Sequence, residues 1–265
     1  VAAFSLKTFS GYVIRYGSWP EQSTRNFTLA GARKTLSKMY TGARGGKLSL
    51  ENVIRRALDD CGDWLLDQIW TKPDGQELKI QRLAIDGGWK TKTVRESVAA
   101  RCDPRVFVAF GRDSKLTGQD QPGDRKAASG DWRARTDIPN RVRFITIVPN
   151  PWKTFTHARL ATDIGEAGSL SLYRDDAFRH DTYALHQRAE VRKRKRIDGA
   201  DVDFWTLPPS KPDNHWHDTL VGCCVLADHE GATLWTGSAG RSSSSSSAPK
   251  TKKKSARKRK KITYL

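Results

Sequence analysis

Apolar residues recur along the chain at two spacings, and the spacing changes with position. In "GYVIRYGSW", Tyr12, Ile14 and Tyr16 alternate with Val13 and Arg15. With "VAAFSL" before it, this predicts two adjacent strands or a hairpin, ended by Pro20 and the polar residues after it. Over 49–70, "SLENVIRRALDDCGDWLLDQIW", the residues Val53, Leu58, Cys61, Leu65 and Ile69 fall near helical spacing. Ser49 suits the N-cap of that helix, and Gly62 weakens it. "KPDG" is a turn. Beyond it the pattern predicts a strand over Leu78–Asp86, a helix over Thr93–Arg101 capped by Thr91 or Thr93, and a strand over Val106–Phe110. A further strand spans Val142–Val148, and a helix starts at about Trp152. Strands alternating with helices indicate an α/β sheet with at least some parallel strands.

Two stretches break this alternation. Residues 112–137 are polar and aperiodic, which predicts a long loop, functional or disordered. After about Thr236 a serine-rich linker leads into "KTKKKSARKRKK" at 250–261, predicting one folded domain over 1–236 and a disordered basic tail over 237–265. Just before them, "NHWHDTLVGCCVLA" (Asn214–Ala227) is apolar nearly all round, which predicts a helix capped by Asn214 and buried against the sheet.

Charge narrows the class of partner. The net charge is +18; the tail at 250–261 holds nine Lys/Arg and no acid, leaving +9 on the rest. Both parts are therefore basic, which points to a polyanion, nucleic acid ahead of a membrane surface. The longest apolar run, Leu220–Ala227, is too short to span a bilayer, and no secretory signal is visible. Cys61, Cys102, Cys223 and Cys224 lack metal-site spacing and suit buried thiols in a reducing compartment. The opening "VAAFSLKTF" has no methionine and reads as part of a longer protein.

Candidate chemistry begins at "LAIDGGWKTKT". It lacks the spacing of a Walker A loop, and "TGARGGKLS" (Thr41–Ser49) has Thr41 and Leu48 where a glycine and a Mg²⁺-binding hydroxyl are required. A nucleotide-driven motor is excluded on that ground. Asp86 closes an apolar strand, where active-site groups of open α/β sheets gather, and Gly87 and Gly88 leave room for a metal or phosphate; equally, Asp-Gly-Gly is a turn. Asp218 shares a helix face with Val221, Gly222 and Val225, and is either a cation ligand at the mouth of an apolar stripe or a first-turn acid that stabilises its helix. Lys153 opens a helix just after a strand, where a cation can meet phosphate. Arg192, Lys193, Arg194, Lys195 and Arg196 form an unbroken basic run suited to a phosphate backbone, or to a solvated face. His180, His186, His215 and His217 match no zinc spacing.

These pieces, in this order, resemble the C-terminal nuclease domain of phage terminase large subunits of the GpA type, enzymes that cut concatemeric DNA for packaging. The resemblance runs from about Val1 to Thr236. It rests on "GYVIRYGSWPEQ", "LAIDGGWKTKTV", "RVFVAFGR", "VPNPWKTFTHARL", "YALHQRAE" and "DNHWHDTLVGCCVLA". It implies an RNase H-like mixed sheet flanked by helices and two Mg²⁺ or Mn²⁺ ions. Asp86, at the end of the central strand, and Asp218 would be metal ligands, and Lys153 would sit beside them. Glu190 falls in another matching segment and is given a structural role first. The resemblance also implies double-stranded DNA as substrate, a small subunit and a portal protein as partners, and a host cytoplasm as location; Lys252–Lys261 suits either those proteins or DNA, and the sequence leaves the two open. The family's first acid lies on a strand upstream of Val1, and Phe110 stands where the family often has lysine. Two other readings stay open: a non-catalytic DNA-binding module of the same fold, and a basic ribosome- or chromatin-associated protein. An aspartate embedded in an apolar helix disfavours the last.

Overall fold

The computed structural model describes residues 1–24, 27–42, 45–112, 116, 124–174, 180–197 and 199–234, all within one unit spanning 1–235. The tail over 237–265, and most of 113–123 in the long polar stretch, lie outside the described residues.

The first half of the chain forms β1 (Ala2–Phe4), β2 (Gly11–Val13), α1 (Leu36–Met39), α2 (Leu50–Asp67), β3 (Trp70–Thr71), β4 (Glu77–Leu78), β5 (Leu83–Asp86), α3 (Thr91–Arg101) and β6 (Val106–Gly111). The second half adds β7 (Arg125–Lys126), β8 (Trp132–Asp137), β9 (Val142–Ile147), α4 (Pro149–Leu160), β10 (Leu170–Leu172), α5 (Asp181–Gln187), β11 (Val191–Ile197), β12 (Ala200–Thr206) and α6 (His215–His229). The fold is mixed α/β, as the alternation predicts. β1 and β2 pair antiparallel, and β10 joins β2 in parallel. Ser49 caps α2, its hydroxyl accepting from the Asn52 N–H at 3.3 Å.

The principal sheet has the order β5-β6-β9-β8-β7. β5, β6 and β9 are parallel, and β8 and β7 are antiparallel to their neighbours. Two apolar layers cover it. Leu83, Ile85, Val106 and Val108 pack with Leu66 of α2 and with Val94 and Val98 of α3. Ala84, Phe107, Ala109 and Ile145 pack on the opposite face with Trp152 of α4 and with Val221, Cys224 and Val225 of α6. Side chains alternate along a strand, so Asp86 follows Ala84 onto the α4/α6 face, in register with Ala109 and, through it, Ile145. Arg82, just before β5, pairs with Glu230, just after α6, at 2.8 Å. The end of α6 also reaches β8, where the Trp132 indole donates to Asp228 at 2.5 Å.

Several expectations are corrected. The strand expected over Leu78–Asp86 is divided: β4 turns back onto β3 around Gly75 (φ 84°), and ladder pairing with β6 begins only at Leu83. Ile80 supplied the apolar signal between them, and it is buried in the core without joining a ladder. Among the described residues β5 pairs only with β6, at the edge of its sheet, where the resemblance implies a central strand. The stretch expected as a loop contains β7 and β8; Trp132 and Ala134 point into the core while arginines alternate with them. Neither Thr91 nor Thr93 caps α3: the cap position is Lys90, in the left-handed region (φ 49°), and the Thr91 hydroxyl donates to the Gly87 carbonyl at 2.6 Å.

Candidate active site

The parallel order sets the C-terminal ends of β5, β6 and β9 along one edge. α4 starts directly after β9, with Pro149 in its first turn, where a missing N–H costs nothing. Trp152 and Thr156 face inward, the Thr156 hydroxyl reaching the Cys224 thiol at 3.6 Å. Their neighbour Lys153 is thereby turned along α6, with its side chain 12% exposed.

The Lys153 ammonium is held by two carboxylates. It pairs with Glu190, which follows α5 and whose side chain is 3% exposed, and with Asp218 Oδ1 at 3.0 Å. Asn214 occupies the cap position of α6 without capping it. Its side-chain amide instead donates to Glu190 Oε1 at 2.7 Å and to Asp218 Oδ2 at 3.0 Å. This corrects the expected capping role: an amide that links two acids is turned away from the N–H groups of its own helix. Glu190 Oε2 is buried with no hydrogen-bond partner.

Behind this group lies a layer of neutral rings. His157 stacks flat on Trp205 with centroids 4.2 Å apart and stands 4.7 Å from the ring of His217. His217 is fully buried and shares a hydrogen bond between its Nδ1 and Gln187 Oε1 at 2.9 Å. Burial, reinforced by His157 and Lys153, lowers the His217 pKa to about 3. Burial likewise lowers that of His157, which Glu190 partly offsets.

Asp86 is exposed, and its Oδ1 accepts from the Gly88 N–H at 3.0 Å. A Cβ on Gly87 would lie 2.5 Å from Val108 and 2.8 Å from the Phe110 ring, so only glycine lets the chain turn this tightly behind Asp86. The structure thus brings Lys153, Glu190, Asn214 and Asp218 into direct contact. Asp86 shares their face of the sheet, without a hydrogen bond or ion pair to them. Glu190 and Asn214 are the members whose contacts sequence reasoning missed. Asn214 lies one helical turn before Asp218, a readable spacing, whereas nothing in the spacing of Glu190 points to Lys153.

The sequence profile of the terminase large subunit gpA endonuclease domain matches residues 33–236. The chain belongs to that family. No curated protein and no solved structure matches it.

In this terminase endonuclease domain, the expected basic run is one strand of a hairpin. β11 pairs antiparallel with β12, from Val191 opposite Thr206 to Ile197 opposite Ala200. Alternation sends Arg192, Arg194 and Arg196 to one face and Lys193 and Lys195 to the other. On the arginine face, Arg192 and Arg194 pair with Asp203 at 2.6 and 3.2 Å, and hydrogen bonding from Arg192 first, then Arg194, holds the Asp203 carboxyl below its ordinary range. The same face docks on α4: the Trp205 indole donates to Thr154 and its backbone N–H to Asn150, each at 2.9 Å. Lys195 lies over Phe204 on the opposite face, and all five cations are exposed.

The terminase domain's site offers carboxylate oxygens from Asp86, Asp218 and Glu190, the donor type that hard divalent cations take. Among the described residues no group of three or more His, Cys, Asp or Glu is gathered tightly enough to hold a metal ion. The four cysteines are free thiols, and no described helix is long and apolar enough to cross a membrane.

Proposed function

We propose that the chain is the metal-dependent DNA endonuclease domain of a viral packaging terminase, RNase H-like in fold, cutting concatemeric double-stranded genomes in the host cytoplasm. The observation that carries this reading is the Lys153–Glu190–Asp218 group, set at the start of two helices on the face that Asp86 joins. Oxygen donors and a held cation at the C-terminal edge of parallel strands suit a phosphodiester better than a neutral substrate. Asp86 and Asp218 would hold Mg²⁺ or Mn²⁺, and two such ions would supply Lewis-acid activation of a water and charge neutralisation at the scissile phosphate. Lys153 neutralises charge that develops on the phosphate, while Glu190 and Asn214 fix its ammonium and the Asp218 carboxylate. The run Arg192, Lys193, Arg194, Lys195 and Arg196 holds the duplex through phosphates, consistent with weak sequence dependence. Lys252–Lys261, outside the described residues, suits either DNA or a protein partner, the small subunit or the portal protein.

The test is plasmid nicking in Mg²⁺ or Mn²⁺ by the protein extended upstream of Val1. Asp86→Asn and Asp218→Asn should each slow cutting at least about a hundredfold while DNA binding persists. Undiminished cutting by either variant sinks the assignment. A second reading, a DNA-binding module without catalysis, is favoured by one observation: no three acids are gathered among the described residues. It predicts salt-sensitive binding with no metal-dependent nicking from any version of the protein.

A further inference from the structure

Three residues beyond Asp86 stands Trp89, 62% exposed and packed in none of the apolar clusters. Its loop is not slack. The Gly87 N–H donates to the Ala109 carbonyl at 2.8 Å, the Gly88 N–H to Asp86, and the Thr91 hydroxyl back to the Gly87 carbonyl. Lys90 is anchored to Glu51 at 2.7 Å. Every residue flanking the indole is thus tied down, and the ring is presented to solvent instead of folding back on Phe110 and its neighbours. An indole exposed to this degree on a braced loop loses the hydrophobic gain of burial unless another molecule covers it.

The chemistry around it indicates what that molecule is. Lys92, in the first turn of α3, has its side chain 89% exposed and meets Glu96 only at 3.9 Å, and the chain outside its basic tail carries a net +9 of the total +18. The loop crosses the C-terminal edge of the sheet, from the face of Asp86 to the face covered by α3. A flat π-surface beside an exposed cation fits a nucleobase, which stacks on aromatic rings whatever its sequence. Three residues of chain reach at most about 11 Å, or about three nucleotide steps at 3.4 Å per charge along one strand.

We propose that Trp89 stacks on an unstacked base within about three nucleotides of the phosphate presented to Asp86 and Asp218, so that the domain favours duplex that opens easily. This rests on those two aspartates marking the cutting centre. Unstacking costs least where pairing is already faulty, so the preference shows as tighter binding to mismatched DNA.

The experiment compares binding of the chain, in chelator, to short duplexes that are fully matched or carry a central mismatched bubble with 2-aminopurine in it. Wild type should bind the bubble more tightly and quench its fluorescence. Trp89→Ala should lower bubble affinity about tenfold, abolish the quenching and leave matched-duplex affinity within about twofold. Trp89→Phe, which keeps a ring, should fall between. Equal bubble affinity and quenching in wild type and Trp89→Ala overturn the proposal, as does an equal loss on both duplexes. If nicking survives in Asp86→Asn or Asp218→Asn while the bubble preference still depends on Trp89, the assignment of the cutting centre fails and the stacking role stands.

Discussion

Lys153 holds two carboxylates at once, and they differ in what they lose without it: the Glu190 side chain is 3% exposed and that of Asp218 is 48%. Removing the ammonium leaves Glu190 a buried charge with only Asn214 beside it. Lys153→Met should therefore destabilise the fold by about 3–5 kcal/mol, read from urea unfolding, because an uncompensated buried charge costs far more than the pair itself contributes. Lys153→Met combined with Glu190→Met should recover most of that loss, and Asp218→Asn should change stability by less than about 1 kcal/mol. A double variant as unstable as the single one would show that packing, not charge, sets the cost. At this scale the sequence was half legible. Lys153 and Asp218 stand where pattern and resemblance direct attention. Glu190 comes 37 residues after Lys153, in the link between α5 and β11, and no periodicity encodes a contact that depends on α4 and α5 both packing against α6.

Elements were legible where the hydrophobic period was clean and obscured where charge overlay it. α2, α3, β6 and β9 follow their patterns within a few residues. β8 was missed because arginines fill the alternate positions of a strand whose Trp132 and Ala134 are buried. The same geometry divides the basic run of β11, which linear sequence presents as one patch. Arg192 and Arg194 are engaged with Asp203 on the face that docks on α4, whereas Lys193 and Lys195 face away from it. The lysines are thus freer to displace counterions from DNA. Lys193→Ala with Lys195→Ala should reduce the slope of log affinity against log salt by about 2, since each phosphate a cation neutralises adds about 0.9 to that slope. Arg192→Ala with Arg194→Ala should change it less and instead speed hydrogen exchange across β12, because Asp203 loses its cations. The reverse ranking in the salt titration would make the arginine face the DNA face.

For the whole molecule, the unusual feature is how many histidines are held toward the neutral form by full or partial burial. Of six in the chain, burial lowers the pKa of four, His157 on α4, His186 on α5, and His217 and His229 on α6. Each sits in a layer holding a helix to the sheet or to its neighbour, so protonating any of them opposes the packing that keeps the candidate site assembled. The sign follows from which state binds the proton. In the unfolded chain these rings titrate near their ordinary value of about 6.5; in the folded chain His217 resists until about 3. Between those limits the unfolded state binds more protons, so stability is complete above pH 6.5 or so and is lost as pH falls. For His217 alone the loss is about 1.4 kcal/mol per pH unit, and His157, His186 and His229 add to it in the same direction. Carboxyl groups held below their ordinary range, such as Asp103 beside Arg105 and Asp203 beside Arg192, contribute only at lower pH, below the unfolded carboxylate value of about 4. Urea midpoints should therefore decline steeply from about pH 6.5 to pH 4, before the acids take part. His217→Gln should lose stability at neutral pH, yet flatten that decline by about one proton's worth of slope. A variant whose midpoint falls in parallel with wild type over this window would show that His217 is not held neutral in the fold.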